Sequence, residues 1–139
     1  MYNQELKVFI RFITEFKNEH NEIETGVFQA SVYLRKRSEL LYEYDKKHLL
    51  EIRDWFNDNL DAPDRFSKAK RKNPANVSLS WFKSTATEHL KKMYEMKEII
   101  ERYGIFITVI KMENPGYIVY EDKFQVSTIP HKKDKSIAK

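Results

Sequence analysis

The stretch from residue 104 to 129, GIFITVIKMENPGYIVYEDKFQVSTI, leaves little alternative to a β-sheet. Three runs rich in Ile, Val, Tyr and Phe are separated by Asn114-Pro115-Gly116 and by Glu121-Asp122-Lys123. Branched and aromatic side chains suit a pleated, half-buried surface. Proline followed by glycine suits a type II turn, whose third position needs a positive φ. The pattern predicts a C-terminal three-stranded meander. IFITVIKM (105–112), apolar on both faces, reads as an interior strand.

Helices are expected upstream. Thr85-Ala86-Thr87-Glu88 has the form of a capping box, followed by Leu90, Met93, Ile100 and Tyr103 on one side and Gly104 as a stop. Asp45 reads as the N-cap of an earlier helix carrying Leu49, Ile52, Phe56 and Leu60, broadened by Trp55 and ended near Pro63. Residues 7–16, KVFIRFITEF, fit either a strand or a helix, and their branched and aromatic content favours the strand. KNEHNEIETG (17–26) reads as a polar connection, with Thr25 capping a helix to about Arg37, although VFQASVYL also alternates as a strand would. Val77, Leu79 and Trp81 mark a short strand after the Asn73–Asn76 turn. The expected fold is α+β, a mainly antiparallel sheet with helices on one face, in the order β-α-α-β-α-β-β-β.

At 139 residues, the chain reads as one domain with a basic, mobile tail at 131–139. Apolar residues at 41% and aromatics at 14% favour a packed core under a surface supplied by the 33% that are charged. The absence of cysteine excludes disulfides, thiolate metal sites and a cysteine nucleophile. No apolar run approaches the roughly 20 residues of a membrane span, and the start lacks a signal-peptide pattern, so a cytoplasmic protein is expected. Three glycines, at 26, 104 and 116, cannot build a phosphate loop or a dinucleotide fingerprint.

The segments ETGVFQAS, DWFNDNLDAPDRF, SWFKSTATEHLKKM and RYGIFITVIKMENPGYIVYEDKFQV, taken in order, resemble a group of small, uncharacterised bacterial proteins. The resemblance covers about residues 7 to 130. It implies a self-contained bacterial domain and carries no activity, cofactor or catalytic signature with it. The lysine-rich stretch 68–72 and the tail lie outside the pattern.

Arg65, Lys68, Lys70, Arg71 and Lys72 form the most pointed chemical feature, with only Asp64 close by to offset them. Such a run can neutralise phosphates and release their counterions, with Lys83 alongside and Trp81, Phe82 or Tyr117 stacking bases if exposed. The competing explanation is a solvated loop beside a buried Trp81. The junction 81–89 offers helix-start N–H groups to an anion, unless Thr85 and Glu88 consume them as caps. Tyr117, Tyr120, Glu121, Asp122 and Gln125 form a candidate partner surface, or else an ordinary polar turn.

Acid–base or metal chemistry would have to draw on His48, His89, Asp54, Glu88, Glu121 and Asp122. His48 has only Glu51 three residues on, and His89 has no such partner. Glu95 and Lys97 fall mid-helix and diverge by about 200°, against a nuclease arrangement. The expected function is a non-enzymatic binding module for an anionic partner, nucleic acid first, with no metal or cofactor. A protein-interaction subunit ranks second. A small enzyme around His89, Glu88 and Tyr117 ranks third.

Overall fold

The computed structural model describes residues 7–37, 39–63 and 78–131. The chain runs β1 (Phe9–Ile13), β2 (Glu15–Lys17), β3 (Ile23–Thr25), α1 (Val27–Lys36), α2 (Glu43–Asn59), β4 (Leu79–Lys83), α3 (Thr87–Arg102), β5 (Thr108–Met112), β6 (Tyr117–Glu121) and β7 (Gln125–Ile129). The expected α+β order holds, with one addition. The polar stretch after residue 14 forms an antiparallel hairpin of β2 and β3, pairing Phe16 with Glu24. Asn18 makes that turn: its Oδ1 accepts the N–H groups of His20 and Glu22, and Asn21 takes φ +59°. The Asn18 turn lets a largely hydrophilic segment pair, with buried Phe16 of β2 packed on Tyr33 as its apolar anchor.

The sheet order is β5-β1-β4-β7-β6. β4 is antiparallel to β1 and to β7, and β6 is antiparallel to β7. The expected meander is therefore corrected to a β6–β7 hairpin, because β5 lies at the far edge beside β1. β5 is also an edge strand, where an interior one was expected. Its apolar excess lies partly before the strand, in buried Ile105 and Ile107.

Two compact units emerge, each assembled from separated stretches. Among the described residues, the first comprises 7–11, 62–63, 78–87 and 110–131. Its core is Phe9, Trp81 and Val126, with Leu79, Ile110, Met112 and Ile118 packed on it. The register Trp81↔Val126 puts the two most deeply buried of these on one face. Gly116 holds the turn before β6 at φ +130°, and a Cβ there would fall 2.8 Å from the carbonyl carbon of Ile129. Only glycine fits.

Among the described residues, the second unit comprises 12–37, 39–61 and 88–109. Leu49, Ile52 and Phe56 are buried at helical spacing along α2, each worth about 1.5–3 kcal/mol of burial. Phe28 of α1 meets Phe56 edge-on at 5.2 Å. α3 buries His89, Met93, Met96, Ile99 and Ile100, and Gly104 follows at φ +87° with its N–H on Glu101 O. Thr25 is not a cap: it ends β3, and Gly26 precedes α1. Nor is Asp45, which lies inside α2 and buries its carboxylate against Arg102 (2.9 Å) and the Tyr103 hydroxyl (2.6 Å). Both misplacements share a cause, since a residue that favours caps also serves a tertiary hydrogen bond or a ladder.

Candidate binding site

In the first unit, the end of β4 builds a small polar centre. The pairing Phe9↔Lys83 sets Lys83 across from the start of β1, with the Lys83 N–H on Phe124 O and the Ser84 N–H on Val8 O. These bonds fix the backbone on both sides, so the side chain has a defined origin. Lys83 Nζ meets Glu121 at 2.7 Å, where β6 ends. Beside this pair lies a cavity of about 510 Å³. Val8, Phe9 and Ile118 supply its apolar lining, and Lys7, Lys83, Ser84, Thr85, Glu113 and Glu121 its polar lining. Half-buried charges in such a lining keep much of their hydration, so the pair is worth less than its short distance suggests.

The neighbouring turn is built around Asp122. Its Oδ1 accepts the N–H groups of Phe124 (2.8 Å) and Gln125 (3.0 Å), and its Oδ2 accepts the Tyr120 hydroxyl (2.8 Å) and the Gln125 amide (3.0 Å). Burial alone would push this carboxyl up. The donors from Gln125, Phe124 and Tyr120 outweigh it and hold the group below the usual carboxylate range. Tyr120, Asp122 and Gln125 thus direct polar atoms at one another. β6 also carries an irregularity between Ile118 and Tyr120, a feature that blunts a sheet edge as a pairing template.

His89, His48 and Asp54, drawn on for the enzyme reading, each meet a partner within the second unit. His89 is 3% exposed; its Nε2 lies 2.7 Å from the carbonyl oxygen of Asn59, and its ring meets Trp55 at 4.8 Å. A carbonyl only accepts, so this nitrogen carries the proton, and His89 ties off the end of α2. His48 sits 3.6 Å from Glu95 in the second unit. Asp54 pairs with its neighbour Arg53 at 2.7 Å. α3 starts at Thr87, one position later than a capping box from Thr85 requires, and Glu88 is exposed in its first turn. Among the described residues, no three His, Asp or Glu side chains form a group able to hold a metal.

Arg65, Lys68, Lys70, Arg71 and Lys72 lie outside the described residues, as do the Asn73–Asn76 turn and the tail beyond His131. Trp81 is 1% exposed, so no base can stack on its ring; Tyr117 is 50% exposed. Lys83 and Glu121, singled out for separate reasons, come together. Sequence reasoning missed Lys7 and Glu113. They line the same cavity although far apart in the chain, and only the β5-β1-β4 neighbourhood reveals it. No family model, curated protein or solved structure matches this chain. Among the described residues, no helix is long and apolar enough to cross a membrane.

Proposed function

We propose that this protein is a non-enzymatic cytosolic module that binds an anionic partner, nucleic acid first, through the cationic segment 65–72. One observation carries the reading: the chain's entire charge excess resides there. Of 25 Lys and Arg, five fall in 65–72, and of 21 Asp and Glu, one (Asp64) adjoins them; the remaining 20 of each sign cancel. Setting aside the tail as well, with its four Lys and one Asp, leaves 16 cations against 19 acids. A mildly acidic body joined to a concentrated basic run would meet a polyanion through that run, by releasing counterions from its phosphates. Lys83 is the weaker candidate, since its ammonium already faces Glu121 at 2.7 Å.

Fluorescence anisotropy with a labelled single-stranded oligonucleotide tests this at low ionic strength. The parent chain should bind, Lys83→Met should bind almost as well, and the quadruple variant Lys68→Ser, Lys70→Ser, Arg71→Ser, Lys72→Ser should bind much more weakly. A parent chain that fails to bind where salt screening is weakest would refute the reading.

A further inference from the structure

We propose that the cavity beside the Lys83–Glu121 pair binds a small zwitterion with an apolar side chain, of the α-amino acid class. Its volume of about 510 Å³ suits a molecule of that size. The lining decides the chemistry. Lys83 and Glu121 satisfy each other at 2.7 Å. Lys7 and Glu113 line the same cavity, and among the described residues neither has an ion-pair partner. Among the described lining residues, one cation and one carboxylate are therefore left over, and the four charges sum to zero.

A ligand carrying one carboxylate and one ammonium matches that remainder and adds no net charge. A phosphate would meet two carboxylates, and a lone cation would meet two ammonium groups. The hydroxyls of Ser84 and Thr85 can add hydrogen bonds to the ligand carboxylate near Lys7, while Val8, Phe9 and Ile118 receive a side chain of leucine or phenylalanine size. Phe9 and Ile118 also pack on Trp81, so the apolar wall is continuous with the core of this unit. None of the named lining residues belongs to segment 65–72, so the two proposals are tested by different ligands and variants.

Calorimetric titration of the full chain with L-phenylalanine, 3-phenylpropionate and 2-phenylethylamine tests the proposal. L-phenylalanine should bind, and each analogue, missing one charge-assisted bond, should bind about tenfold more weakly. Lys7→Gln and Glu113→Gln should each weaken L-phenylalanine by a similar factor while melting as the parent does, since both residues are exposed. Should either variant melt earlier, the analogue series on the parent chain decides by itself. No heat at millimolar L-phenylalanine, equal affinity for a singly charged analogue, or unchanged affinity in both folded variants would overturn it.

Discussion

Replacing His89 by alanine removes an imidazole that is 3% exposed, 2.7 Å from Asn59 O, and edge-on to Trp55 at 4.8 Å. Two costs follow. The Asn59 carbonyl, at the end of α2, loses that donor, and because Asn59 is itself exposed, water can partly replace it, so this term is about 1 kcal/mol. The space left beside Trp55 and Phe56 adds a cavity cost, at the lower end of the roughly 2–5 kcal/mol seen for large-to-alanine core changes, because the ring is smaller than phenylalanine. Since the two terms overlap, about 3 kcal/mol is expected in all, which lowers the melting temperature by roughly 10 °C for a chain of this size. Urea denaturation followed by tryptophan fluorescence would read it, Trp55 lying against the ring. Nucleic-acid affinity, measured well below the lowered midpoint, should stay at the parent value. An unchanged midpoint would refute the packing argument. Abolished binding in a still-folded variant would make His89 a functional group rather than a tie between two helices.

Three further outcomes follow from the hydrogen-bonded centres and the Gly116 turn. Burial and then the bond to Asp45 hold the Tyr103 hydroxyl above its ordinary value of 10.0, so its contribution is complete below pH 10 and is lost as pH rises past it; Tyr103→Phe should flatten the alkaline limb of a stability–pH curve. The Asp122 carboxyl lies below its ordinary 3.8, so its contribution is present above that pH and fades as pH falls below it; Asp122→Asn should remove that acid-sensitive component and lower stability at neutral pH. Gly116→Ala forces a Cβ onto the Ile129 carbonyl at a φ of +130°, and should cost about 3 kcal/mol in chemical denaturation.

Local patterns were legible where one short-range force dominates. The α2 stripe of Leu49, Ile52 and Phe56 is buried as its spacing requires, and Gly104 stops α3 at a positive φ. The β6–β7 hairpin follows from its branched residues and its Asp122 turn. Strand order was not legible, because β5 and β1 become neighbours through a choice that no local propensity records. The same limit hid the cavity, since Lys7 and Glu113 look like two solvated charges until that order is known. Polar residues misled for a related reason. Asp45 and Thr25 both favour caps, yet one anchors Arg102 and Tyr103 from within a helix while the other ends β3.

The salt dependence of nucleic-acid affinity tests the central claim most directly. Plotting log affinity against log salt for a single-stranded oligonucleotide should give a steep negative slope for the parent chain. Serine at positions 68, 70, 71 and 72 should shallow that slope by about 0.7 for each phosphate that is no longer neutralised, or about 0.9 on a duplex. The melting temperature should hardly move, because these substitutions remove charge and not core. Parallel lines for parent and variant, or a parent that does not bind at low salt, would contradict the account and leave the five cations of 65–72 as solvated surface charge.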